Sequence, residues 1–495
     1  MSVIEKAPVE TGAERRSLSG RLGVGAIVLM VVAAASPLTV VGGAAPLGVM
    51  LGNGPGFPTM YAFSALVLVL FTVGLSAMSK AIPKPGAFFT YIGHGLGRSS
   101  GVAAAWLAML TYTTIQACVY GYIGAVLSAA VRGLGGPELP WWLYALAVVA
   151  VTGFFGYNHI DLSAKVLGVL LLGEVVIVLA LVLAVILSGG GPEGLSLAPF
   201  EPANIFSGAP GVGLMLAIAA FIGFESTAVF RSEARDPDRT VPKATYIAVI
   251  GVGVFYTFAS WGLVMAWGPS MAVDKVSADY ENIVILTASQ YLGPIGEIIM
   301  NILLVTSMFA CILSFHNILT RYQHAMGTAR LLPFGLTKVH EKQHSPYRSS
   351  LVQSVTAAVL VVLFAVLGLD PVLEVFTWFA GVATLAIVIL MILTSAAVVV
   401  YFRRTRKDTR PWNTVIAPIL GFVGLMLCGV AITVYFPILV GDLDAEGNPA
   451  FGAVSAMLLG LIVLCPLIGY VQAFWMKAKR PEQYELVIDT IAEGA

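Results

Sequence analysis

The chain predicts an all-α polytopic membrane protein with twelve transmembrane helices, and three observations carry that class. First, 58% of its 495 residues are hydrophobic and only 11% are charged, against about 25% charged in a soluble domain. Second, apolar runs repeatedly reach the roughly 20 residues that a helix needs to cross a bilayer. They are apolar all round, without the alternation of a transmembrane β-barrel. Third, lysine and arginine are confined to alternate connections, which is the bias that orients membrane helices.

The twelve spans are Leu22–Val49, Phe57–Met78, Gly101–Val131, Trp141–Phe155, Leu162–Leu187, Gly211–Phe230, Ala244–Trp267, Ile283–Leu319, Leu351–Leu367, Val372–Phe402, Thr414–Val440 and Phe451–Trp475. With the N-terminus inside, 25 of the 27 Lys and Arg residues fall on the cytoplasmic side, leaving only Arg132 and Lys275 outside. The opposite connections lean acidic, with Glu193 and Glu201, then Asp274, Asp279 and Glu281, then Asp442, Asp444 and Glu446. This places a cytoplasmic tail at 1–21 and another at 477–495, in a protein of the cell membrane. Arg15-Arg16 reads as the positive flank of the first span. Cys118, Cys311, Cys428 and Cys465 all sit in apolar runs without paired spacing, so neither a disulfide framework nor a zinc site is expected.

Two spans are interrupted. The first holds Ala33-Ala34-Ala35-Ser36-Pro37 and then Gly42-Gly43, where proline removes a backbone donor and clashes with the preceding turn. Five spans later, Ile222-Gly223-Phe224-Glu225 puts a glycine and a carboxylate into a hydrophobic run. Interrupted helices at matching positions of two halves point to an inverted-repeat transporter with its site between the breaks. The repeats are 22–187 and 211–402, and 412–476 holds two accessory helices.

Ionisable groups inside spans are costly, so each requires a reason. Glu174, in the fifth span, has three readings. It binds and releases a proton during transport, it holds a cationic substrate or sodium ion, or it stays protonated against a carbonyl. Glu225 is either a pH-sensitive latch between helices or a structural acceptor for donors freed by the break. Arg231 to Arg239 alternate in sign, as a solvated face or as ion pairs at an inner gate. Tyr112, Gln116 and Tyr120 share one face of span three, either lining a path or packing; Trp378 and Phe379 pose the same choice. His340 and His344 read as solvated loop histidines, with no third ligand nearby. The Pro83–Tyr91 stretch is a connector or an inner-gate element.

Four stretches resemble the amino acid–polyamine–organocation superfamily of permeases. They are Phe221-Ile222-Gly223-Phe224-Glu225-Ser226 with Glu233 through Ala244; Asn317 through Arg330 with Leu332-Pro333, Lys338-Val339-His340 and Ser345-Pro346; the Pro83–Tyr91 loop; and Ser163-Ala164-Lys165-Val166. The resemblance implies a LeuT-type five-plus-five inverted repeat and uptake of an amino acid or amine, often with protons. It implies that Ala35, Ser36, Pro37, Gly42 and Gly43 border one side of the substrate, and Ile222, Gly223 and Phe224 the other. The chain departs from the family in three places. Ala-Ser-Pro stands where many members have a G-S-G signature in helix one. Ala219 stands where many have a gating aromatic, leaving Phe221 or Phe224 as gate. Glu174 stands where proton-coupled relatives have lysine.

The expected function is therefore secondary import of an amino acid by alternating access, coupled through Glu174, with Glu225 as a second titrating group. Polyamine or amine uptake, or a non-transporting sensor, are the alternatives. The partners are a small-molecule substrate, a proton or sodium ion, and the bilayer; no nucleic acid or cofactor is called for. An enzyme would need a nucleophile or metal cluster at one depth, and no ATP-binding signature appears.

Overall fold

The computed structural model describes residues 22–82, 88–158, 164–340, 346–446 and 448–494. The tail before Leu22, Pro83–Ala87 of the proline-rich loop, Ser163, His344 and Ser345 lie outside them. Among the described residues the secondary structure is helical, relieved only by isolated β-bridges between Leu22 and Ala234 and between Leu443 and Pro449.

The first helix, α1 (Val24–Ala35), is followed by a second helical piece, α2 (residues 37–53), with π-type turns at Val40–Ala44 and Gly48–Asn53. Then come α3 (Phe57–Ala81), α4 (Phe88–Leu96), α5 (Arg98–Gly133), α6 (Trp141–Tyr157) and α7 (Ala164–Leu187). The next interrupted segment is α8 (Pro210–Ala219) followed by a 3-10 stretch, Phe224–Glu233. It leads to α9 (Pro237–Trp267), α10 (Ala272–Ala278), α11 (Ile283–Thr328), α12 (Tyr347–Val366), α13 (Thr377–Thr405), α14 (Ala417–Val440), α15 (Ala453–Lys479) and α16 (Pro481–Gly494).

Ten of the described helical stretches are long and apolar enough to cross a membrane, so the chain is a multi-pass membrane protein. The twelve expected spans become ten by that criterion for two reasons. Residues Val24–Ala81 form one 58-residue stretch, and Trp141–Tyr157 has only 17 residues. Other edges also move. The eighth expected span runs on to Thr328 and bends at Gly293, whose φ of 73° and ψ of −176° interrupt the helix just before Pro294.

The interrupted segments lie side by side along their length. At one end the Arg235 amide donates to the Leu22 carbonyl at 2.9 Å. In the middle, a Cβ built on Gly223 would stand 3.2 Å from the Ala34 Cβ. At the other end the Ala209 amide donates to the Gly52 carbonyl at 2.9 Å, and a Cβ on Gly52 would lie 2.9 Å from the Gly213 Cα. Around this pair, α5 packs against α13, α11, α4 and α15, while α3 packs chiefly on α9. Small residues make the approaches close, as is usual where helices associate in lipid.

The segment expected as a tail from Lys477 is instead ordered structure. Helix α15 continues to Lys479, and α16 docks on α4, α5 and α11. Its Ile488 fits over Gly93 and Gly101, where added Cβ atoms would lie 2.8 and 2.4 Å from it. Arg98 pairs with Glu485 at 2.7 Å and Ser99 bonds the Tyr484 hydroxyl at 2.9 Å.

Candidate functional site

Helix α1 stops because residue 37 is proline, which disfavours right-handed helix at the residue before it. Ser36 takes a left-handed conformation, φ 51° and ψ 72°. For a non-glycine residue this costs about 1–3 kcal/mol and persists only where its surroundings hold it. Here they do: the Ser36 hydroxyl lies 2.6 Å from that of Thr39 and 2.8 Å from that of Ser307. The second break runs from Ala220 to Gly223, and Gly223 supplies a φ of 114° that a side chain would resist.

Each break is capped by a buried glutamate. Glu174, on α7, accepts from the Ser307 hydroxyl at 2.7 Å and the Leu38 amide at 3.2 Å. Leu38 is in the first turn of α2, so the carboxylate satisfies a donor that the break left without a helical partner. Glu225 accepts from the Gly223 amide at 2.9 Å and from the Tyr112 hydroxyl at 2.6 Å. The Ser226 hydroxyl closes the same break by donating to the Gly223 carbonyl at 2.6 Å. A hydroxyl has one proton to give. Because Ser307 gives its own to Glu174, Ser36 donates to Ser307 and Thr39 donates to Ser36. The result is a line of hydroxyls that ends on a carboxylate.

A cavity opens between the breaks. Its polar edge is Ala34, Ala35, Ser36 and Thr39, and α5 contributes Ile115, Cys118 and Val119. Ala219, Ala220 and Ile222 face them from the second break, with Cys311 and Phe315 of α11. Of the residues expected at the substrate, Ala35, Ser36 and Ile222 line this cavity. Pro37, Gly42, Gly43, Gly223 and Phe224 are buried beside it without lining it. The glycine pair serves packing, since a Cβ on Gly43 would lie 2.7 Å from the Tyr122 ring. Phe221 sits edge-on to Tyr256 and Phe224 edge-on to Phe71, both at ring distances above 6 Å. Ala219, in place of an aromatic, lines the cavity directly.

The other polar residues sort differently. Tyr112 reaches Glu225, whereas Gln116 joins a buried amide chain, taking a hydrogen bond from Gln353 at 2.8 Å that in turn takes one from Gln323 at 2.8 Å. Phe379 packs on Phe364 at 4.6 Å. Arg231 is buried, with 6% exposure, donating to Asp238 and to the Ser79 hydroxyl, so the charged stretch is not a uniformly solvated face. Sequence reading missed Ser307 as the partner of Glu174. A lone serine in an apolar helix carries no signal until a neighbouring helix brings an acid to it.

Two broken helices, with capped ends around a small buried cavity inside a helical membrane bundle, define the class of a solute transporter. The chain belongs to the amino acid permease family, which matches residues 27–486. It is 24% identical to the low-affinity putrescine importer PlaP of Escherichia coli (strain K12), over 65% of this chain and 70% of that one. It is 25% identical to the gamma-aminobutyric acid permease of the same strain, over 63% and 66%. It is 22% identical to the branched-chain amino acid permease BcaP of Bacillus subtilis (strain 168), over 76% and 80%. The family and these relatives are transporters, not enzymes.

Proposed function

We propose that this permease imports an amino acid across the cytoplasmic membrane by alternating access, with proton binding at Glu174 driving accumulation. The tie from Glu174 to both Leu38 and Ser307 carries this reading. Ionised, the carboxylate holds the start of α2 against α7 and α11. A proton removes acceptor capacity there and frees the outer part of the first broken helix to move. A sodium ion among the same oxygens is the competing driver.

The proposal includes twelve crossings, with both ends cytoplasmic. Val24–Ala81 then supplies two, and Trp141–Tyr157 is a short fourth. A five-plus-five repeat equates the first span with the sixth and the third with the eighth. Two matching ties support it: break one is bound to the eighth span through Ser307, and break two to the third span through Tyr112. The dipoles of the half-helix ends then meet the two charges of a zwitterion. Ala35, Ser36 and Ile222 contact it, while Phe221 and Phe224 move with the gate and Glu225 acts as the second latch.

The test uses purified protein in liposomes. Counterflow measures exchange, and accumulation is driven by a pH gradient or by a sodium gradient. Glu174→Gln should keep counterflow and lose pH-driven accumulation. Accumulation surviving that change intact removes Glu174 from coupling, and sodium-driven accumulation alone replaces the proton. Absence of uptake of any solute would favour a sensor.

A further inference from the structure

Given the transport reading above, we infer that the solute is a neutral α-amino acid with a short aliphatic side chain, and that diamines are rejected. The cavity wall beyond the breaks is apolar: Ile115, Val119, Leu216, Phe376 and Ala380, together with the two thiols Cys118 and Cys311. Among the described residues, no lysine, arginine, histidine, aspartate or glutamate lines it. The carboxylates of the breaks do not serve as counter-charges there. Glu174 is turned to Leu38 and Ser307, and Glu225 to Gly223 and Tyr112.

A zwitterion has its two charges met at the broken helix ends. A second ammonium or a charged side chain would enter the apolar wall unpaired, which is strongly unfavourable. Each methylene moved from water onto that wall instead strengthens binding by about fourfold. The cavity is small, about 40 Å³, which favours a short side chain over an indole or a long basic chain. A γ-amino acid fills the charged ends but places nothing against the wall.

The two thiols provide a local readout. Cys311 donates to the Ala34 carbonyl at 3.4 Å and Cys118 to that of Ile115 at 3.1 Å, so a solute in the cavity covers both. The full chain in liposomes is exposed to a small methanethiosulfonate reagent, and modification is followed cysteine by cysteine by mass spectrometry. Alanine, valine and leucine should slow modification of Cys118 and Cys311 several-fold while leaving Cys465 of α15 unchanged. Putrescine, γ-aminobutyrate, lysine and glutamate should not protect. Counterflow of labelled leucine against the same panel gives the second measurement and decides the matter if neither thiol reacts. Protection or exchange by putrescine equal to that by leucine overturns the inference and leaves transport standing. If no solute protects or exchanges, the transport reading falls with it.

Discussion

At the scale of single residues, the site depends on polar side chains that repair breaks in the backbone. Tyr112 is the plainest case, because its hydroxyl is held 2.6 Å from Glu225 inside the bundle. Tyr112→Phe removes that donor while keeping the ring. A hydrogen bond to a charged acceptor is worth roughly 1.5–3 kcal/mol, so the variant should unfold at lower temperature and transport more slowly. An unchanged melting temperature together with unchanged uptake would show that this tie holds nothing. Gly223 bears on the same break from the backbone side. Its φ of 114° lies outside what side chains adopt, and a Cβ would press on Ala34 at 3.2 Å. Gly223→Ala should therefore cost about 1–3 kcal/mol and impair uptake; wild-type stability and rate would mean that the break relaxes freely.

Among the elements, the docked C-terminal helix is the least expected. Its Ile488 is 4% exposed and seated on two glycines. Ile488→Ala leaves a void over Gly93 and Gly101 and should destabilise by about 2–5 kcal/mol, read as a lower melting temperature of the purified protein. Little or no change would mean that α16 detaches readily in the membrane. The two interrupted segments show the opposite economy. They touch at both ends and at the middle, yet the first break is fastened by Glu174 and Ser307 from other helices, and the second by its own Glu225 and Ser226 together with Tyr112 of α5.

For the whole molecule, charge distribution matters more than its sum of zero. Glu281 lies just before α11, in the acidic set of connections. Burial first, and then Asp370 and Asp279, raise its carboxyl above the ordinary 4.5, with Arg132 opposing. An acid held above its unfolded value contributes stability at acid pH that is lost as pH rises through the folded value. Glu281→Gln should therefore raise the melting temperature at pH 7 and leave it nearly unchanged at pH 4. An equal gain at both pH values would point to packing rather than charge.

Taken alone, the sequence determined the membrane class and the approximate places of both interruptions. These follow from local quantities: run length and the backbone limits of Ser36-Pro37 and Gly223. It also singled out Glu174 and Glu225, because a carboxylate in an apolar run stands out without any neighbour. Only the tertiary structure decided what those acids touch, since Leu38 and Ser307 are separated from Glu174 by more than a hundred residues. It also decided that Gly42 and Gly43 make room for Tyr122 and that Arg231 is buried. It seated the last helix on a glycine groove. Each of these depends on which helix faces which, and that is set by the packing of the whole bundle rather than by any one stretch of chain.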